Sequence, residues 1–353
     1  MIRKLVFGLI VVIFVAMVLE GLSRLFLAGV NPSGFDDASW RTHWLRSHAE
    51  RGELYYEFDV FHPRLGWMAR PGLRDEPAFH DKVLNTNSLG LRGRTDPPLQ
   101  KLSGTQPRIL VLGDSFTFGE EVGDEETYSA RLEDLLPEGE VLNFGVHGYG
   151  HDQMLLLFQD LGRRYRPDIV ILGFVYPDIY RNILSFRDYA KPRYVVEDGQ
   201  LQLTGVPVAS PEETLRSSWK RPRLLDAISM GSTWLEVATG RLEERSQDVT
   251  RRLLDALVAE IRDAGGQPLF VYLPVSSEWS QDAGAPSVGE TFLLSYCEAR
   301  EIDCLSLLPT FRDFGASITE VPGQLHWGPG GHQAAARGIR DFLQQAPSFQ
   351  EYR

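Results

Sequence analysis

Five short apolar runs recur along this chain, each bounded by glycine or proline, and segments of helical period separate them. Arg108-Ile109-Leu110-Val111-Leu112 stops at Gly113, and Val141-Leu142-Asn143-Phe144 stops at Gly145. Asp168 to Phe174 follows Pro167, while Pro268 to Leu273 and Ile302 to Leu308 stop at Pro274 and Pro309. Unbroken apolar runs of this length are how strands buried on both faces read. Tyr128, Leu132 and Leu135 share one helical face that Pro137 closes, and Met154, Leu157, Phe158 and Leu161 form a second. Val249, Leu253, Leu257 and Ile261 form a third, capped by Gly265-Gly266, and Ala335, Ile339, Phe342 and Leu343 a last. Strands alternating with helices predict a parallel sheet covered on both faces. Its site belongs outside the carboxyl ends of the strands, where the winding direction reverses.

Three stretches depart from that alternation. The apolar run Leu5 through Leu19 follows Arg3 and Lys4 and precedes Glu20 and Arg24. It is shorter than the ~20 residues of a spanning helix, although Leu25, Phe26 and Leu27 extend it. It has no polar face, which argues against a core helix, and no small-x-small cleavage site follows. The basic start favours a cytoplasmic N-terminus. We expect a signal anchor over residues 1–30 with the body extracytoplasmic, in a periplasm or at the cell surface; a cleaved signal is the alternative. Residues 31–106 are rich in proline, glycine and rings, among them Trp40, Trp44, Tyr55, Tyr56, Phe58, Phe61 and Trp67. They read as an irregular extension pinned to the main domain, or as an aromatic wall over its site. Residues 183–240 read as an insertion, a substrate-shaping cap or a structural flap. It holds a hairpin over 193–203 with Asp198-Gly199 as its turn.

Composition changes this picture little. Of 353 residues, 43% are hydrophobic and 24% charged, ordinary values for a globular chain. The formal charge of -12 argues against a nucleic-acid partner. Cys297 and Cys304 flank one short connection, so they form a local disulfide outside the cytoplasm or stay as two buried thiols. No Cys/His spacing calls for zinc, and the glycines of Asn143 to Gly150 lack the dinucleotide spacing, so no cofactor is expected.

The chemistry concentrates at two places. Gly113-Asp114-Ser115 directly follows a buried strand, with Gly119 four residues on. A serine at that turn either caps a helix or stands at the sheet edge as a nucleophile beside outward-pointing N–H groups. Near the C-terminus, Leu325-His326-Trp327-Gly328-Pro329-Gly330-Gly331-His332 leads into the last helix. These segments resemble the first and last blocks of the SGNH (GDSL) hydrolases. The resemblance spans roughly residues 85–345 and implies a three-layer α/β/α flavodoxin-like fold with a parallel five-stranded sheet over 107–347. It makes Ser115 the nucleophile and His326 the base, with His332 capping or orienting the last helix. Asn143-Phe144-Gly145-Val146-His147-Gly148 looks like the second block, whose oxyanion donor falls on Gly148 beside the N–H of Ser115. Asn85 to Arg92 looks like a segment common in extracytoplasmic members.

Two positions depart from the family pattern. The third block would carry an asparagine donor where this chain has Pro177, which has no N–H. Asn182, one helical turn on, either takes over that donation or plays a structural part. The acid expected three residues before His326 is replaced by Gly323. That leaves a Ser–His dyad with a carbonyl behind the imidazole, or a remote acid such as Glu320. The resemblance implies an esterase or deacylase acting on an O-acyl ester, a small molecule or a cell-envelope glycan, through an acyl-enzyme. An O-acetyltransferase modifying an exported polysaccharide, or a non-catalytic glycan-binding relative, are the alternatives.

Overall fold

The computed structural model describes residues 1–31, 34–56, 58–79, 82–101, 107–136, 139–279, 287–314 and 326–352. The helices that matter below are α1 (Ile2–Ala28), α2 (Asp37–Arg51), α3 (Ser115–Phe118), α4 (Tyr128–Asp134), α5 (His151–Asp160), α6 (Arg223–Ala238), α7 (Arg241–Asp263), α8 (Val288–Glu298) and α9 (Pro329–Gln345). The chain divides into two compact units, Met1–Trp67 with Ile183–Val249, and Met68–Asn182 with Thr250–Arg353.

The second unit contains the sheet. Its strands are β1 (Arg108–Gly113), β2 (Glu140–Gly145), β3 (Ile169–Phe174), β4 (Gln267–Tyr272) and β5 (Asp303–Ser306), in the order β5-β4-β3-β1-β2. Every pairing is parallel, with Leu110 level with Leu142 and Val170, and Phe270 level with Leu172 and Cys304. This is the doubly wound order, and the winding reverses between β1 and β3. Both strands are buried along their whole length, as their unbroken apolar runs require. Leu132 of α4, Phe158 of α5, Leu257 of α7 and Ile339 of α9 are likewise buried, each from the face that the spacing marks as apolar. Pro137, read as the stop of α4, lies outside the described residues. Cys297 at the end of α8 and Cys304 in β5 are joined as a disulfide.

The first unit pairs the N-terminal residues with the 183–249 segment. Asp36 caps α2 by accepting from Ser39 N at 2.7 Å, and Gly52 closes it at φ +75°. Asp37 binds Ser185 N at 2.8 Å and Phe186 N at 3.1 Å. The rings gather on the same segment: Trp44 meets Phe186, and Tyr55, Tyr56 and Trp67 surround Tyr189 at 5.7–6.0 Å. They therefore pack on the inserted segment within this unit. The hairpin pairs Arg193–Glu197 with Gln200–Thr204, and positive φ at Asp198 and Gly199 makes the tight turn.

Candidate active site

Ser115 sits where β1 ends and α3 begins. Asp114, buried, caps α3 by accepting from Phe116 N at 3.0 Å, and Arg181 Nη1 donates to its other oxygen at 3.0 Å. Below the serine, Thr117 Oγ1 meets Tyr128 OH at 2.8 Å, and Asn143 Nδ2 donates to Thr117 O at 2.8 Å. Room for this turn comes from Gly145 at the end of β2. A Cβ there would press on the Thr117–Phe118 backbone, with Thr117 C only 2.6 Å away. A buried strand, a capping aspartate and two fastened side chains thus hold a serine that is itself almost buried, 6% exposed.

His326 comes from 211 positions along the chain, and its Nε2 lies 2.8 Å from Ser115 Oγ. Its neighbour explains the placement. Trp327 is fully buried, donates from Nε1 to Pro274 O just beyond β4 at 3.0 Å, and packs edge-on against Phe116. Phe116 also meets the imidazole edge-on at 4.9 Å. The far nitrogen, Nδ1, is buried without a hydrogen-bond partner among the described residues. Two carboxylates from the loop after α3 approach the ring, Glu120 Oε2 at 3.5 Å from Nε2 and Glu121 Oε1 at 3.8 Å from Nδ1. Glu121 holds φ +74°, a conformation that side chains other than glycine adopt at a cost and that recurs at functional sites.

That loop is held by Arg92, whose role sequence reasoning missed. Its buried guanidinium donates to the carbonyls of Phe118 (3.2 Å), Gly119 (3.0 Å) and Val122 (2.8 Å), and to Asp124 at 2.6 Å. Its only trace in the sequence is a place in the Asn85–Arg92 segment. Arg181 was missed too. It bridges Asp114, Asp178 (2.6 Å) and Tyr149 O (3.0 Å), placing a positive charge beside the serine turn.

The second block forms a turn at the same end of the sheet. Val146 N donates to Gly113 O at 3.1 Å, Tyr149 N to Val146 O at 3.3 Å, and Gly148 has φ +73°. A turn of this geometry wants glycine at that position. Asn182 is different. It is fully buried, and its amide donates to Thr250 Oγ1 at 2.7 Å and meets His151 Nδ1 at 3.1 Å. Both hydrogens being engaged, the structural reading of Asn182 replaces that of an oxyanion donor. Pro177 stands at the start of the short helix Asp178–Arg181. Gly323, Gln324 and Glu320 lie outside the described residues.

His332 caps a helix, though not its own: its Nδ1 accepts from Tyr128 N, at the start of α4, at 3.0 Å. Burial pushes the His332 and His151 imidazoles down to about 3 each. The unfolded chain therefore takes up protons below about pH 6.5 that the folded chain refuses, so stability is complete above that pH and drains away toward pH 3. We expect a cost on the order of 2 kcal/mol per histidine between pH 7 and 5, read from urea midpoints. His332→Asn should flatten that slope; an unchanged slope would mean the histidine is protonated in the fold.

Among the described residues, no group of three or more His, Cys, Asp or Glu is placed to hold a metal ion. A cavity of about 740 Å³ between the 92–98 segment and the β2 edge is lined by neither Ser115 nor His326. No family model and no curated protein sequence matches the chain. Among solved structures it is similar to a member of the lipolytic G-D-S-L family from Veillonella parvula DSM 2008, at 12% identity and a TM-score of 0.40, covering 68% of this chain and 99% of that one. It is also similar to a two-domain esterase active on acetylated mannans (15%, 0.40, covering 69% and 50%) and an acetyl xylan esterase (11%, 0.41, covering 66% and 98%). Strand order, the Gly-Asp-Ser turn and the histidine it meets together make this a doubly wound α/β fold with a serine–histidine pair at the carboxyl ends of its strands.

Proposed function

We propose that this chain is a serine esterase that removes an acyl group from a hydroxyl, through an acyl-enzyme on Ser115. The observation that carries the reading is the 2.8 Å contact between His326 Nε2 and Ser115 Oγ, made across 211 positions of sequence. Ser115 Oγ attacks the acyl carbon as its proton passes to His326 Nε2. The N–H groups of Ser115 and Gly148 receive the oxyanion. Collapse breaks the bond to the leaving alkoxide, which takes the proton from His326, and water then releases the acid by the same steps in reverse. Glycan esters are the substrates that fit an anchored, exported body. The disulfide between Cys297 and Cys304 supports that location, because such bonds persist outside the cytoplasm. So does α1, a helix long and apolar enough to cross a membrane, with none of its apolar window buried.

The test is turnover of p-nitrophenyl acetate and of O-acetylated oligosaccharides, with Ser115 followed by a fluorophosphonate probe. Acetate release with probe on Ser115 supports the reading, and an unlabelled, inactive chain removes it. Acetyl groups moving to a glycan acceptor in preference to water would make the protein a transferase on the same serine.

Glu121 takes the part of the acid that position 323 lacks. Catalytic hydrogen bonds are often long before substrate arrives, and 3.8 Å is within one small movement of contact with Nδ1. Facing the same ring are Glu120 at Nε2 and the neutral His332, with the Asp114–Arg181 pair behind the serine. Glu121→Gln should lower kcat/KM by roughly 10²- to 10⁴-fold, the scale on which such orienting acids act. Glu121→Asp should restore part of the rate. A kcat/KM in Glu121→Gln equal to the parent's assigns the orienting role elsewhere.

A further inference from the structure

We propose that α6 is a lipid-facing helix, lying against α1 at the boundary of the bilayer, beside the last turns of α1 that carry its two charges. The proposal rests on reading α1 as membrane-spanning. The unbroken apolar stretch of α1, Leu5 to Leu19, is about 22 Å long, against the ~30 Å of a hydrocarbon core. The rest of the span falls on Glu20 to Phe26, where the charges of Glu20 and Arg24 would meet lipid.

The structure answers that cost with α6. Glu20 accepts from the first N–H groups of α6, Arg223 N at 3.1 Å and Leu224 N at 2.9 Å, and pairs with Arg24 at 2.8 Å. Its carboxylate thus caps the positive end of a helix and is neutralised within α1. Ser23 and Leu27, the two residues that α1 buries, lie along this same C-terminal stretch, and Phe26 meets Trp234 edge-on at 6.5 Å. Level with Glu20, therefore, α6 begins, and level with Phe26 it presents an indole.

Much of the remaining surface of α6 is apolar and open, with Ser229 and Ser232 its exposed polar residues. The helix buries only Asp226, paired with Arg221 and Arg223, and Met230. It exposes Leu225, Ile228 and Leu235 at helical spacing, Leu235 by 63%, together with Trp234 by 55%. Leu22, Leu25 and Phe26 of α1 are exposed as well, so the two apolar surfaces are continuous. A patch of this kind is rare on a soluble monomer. Continuity with the spanning helix identifies the occupant as lipid rather than a second protein. A helix with one apolar face and a tryptophan near its end is the form that interfacial helices take.

The test uses the full chain in phosphatidylcholine–phosphatidylglycerol liposomes. Its two native cysteines are bonded to each other, so one introduced cysteine carries an environment-sensitive fluorophore. The positions are Ile228→Cys on α6, Ile13→Cys in the middle of α1, and Gln200→Cys at the hairpin turn. Lipids bearing a nitroxide near the headgroup should quench the Ile228 probe at least twofold and leave the Gln200 probe unchanged. Nitroxides deep in the acyl chains should quench the Ile13 probe. Quenching at Ile13 without quenching at Ile228 overturns the role of α6 and leaves the anchor standing. A blue-shifted but unquenched Ile228 probe means a protein covers the face, and also overturns it. No quenching at Ile13 removes the anchor and this proposal together.

Discussion

Ser115→Ala is expected to lower kcat/KM on an aryl acetate by roughly 10³- to 10⁶-fold while leaving the melting temperature nearly unchanged. The size follows from the serine acting as one unit with its base, so that either loss removes most of what the pair achieves. His326→Ala should cost a similar factor, and the double variant little more than either alone. That non-additivity is the sharper part of the result, because two residues acting separately would multiply. The stability expectation follows from the contacts of Oγ. It meets His326 at 2.8 Å and Asp114 only at 3.4 Å, while Asp114 keeps Phe116 N and Arg181 as partners without it. Turnover by Ser115→Ala at the parent rate would take the serine out of the mechanism. Losses that multiply in the double variant would break the pairing of serine and histidine.

Arg92→Met is expected to destabilise the second unit by about 3–5 kcal/mol, the cost of breaking a buried pair from one side. The guanidinium is 2% exposed and meets three carbonyls and Asp124, all in the segment from Phe118 to Asp124. Methionine fills much of the volume and donates to none of them, leaving those acceptors facing an apolar side chain. Arg92→Lys should recover little, because an ammonium on a single stem lacks the fork that reaches three carbonyls and a carboxylate at once. Activity should fall further than the loss of folded protein explains, since the same segment carries Glu120 and Glu121 to the imidazole. Urea midpoints and turnover measured well below the variant's melting temperature separate the two effects. A midpoint unchanged in Arg92→Met would show that the loop holds its course without the arginine.

Local sequence was enough for the sheet and for singling out Ser115 and His326, which the fold brings to 2.8 Å. A strand buried on both faces must be apolar at successive positions, and it must end where glycine lets another backbone come close. Those demands are written into Arg108–Gly113, Glu140–Gly145 and Ile169–Phe174 without reference to anything distant. The same holds for Asp198-Gly199, where a turn between paired strands requires positive φ. Ser115 and His326 were legible because each sits inside a motif of neighbouring residues.

Contacts between remote segments were not legible, because a side chain's partner depends on where the fold carries it. Nothing adjacent to Asn182 announces that His151 and Thr250 will take both of its amide hydrogens. Nothing adjacent to His332 announces that it will cap α4. A carboxylate behind the imidazole was sought three residues before His326, where a local motif would put it. Folding instead brings Glu121 to 3.8 Å from Nδ1 out of the serine's own loop, which is held by an arginine more than twenty residues upstream. Apolar periodicity is a property of one segment and survives in the sequence. The pairing of charges is a property of two, and only the folded chain decides it.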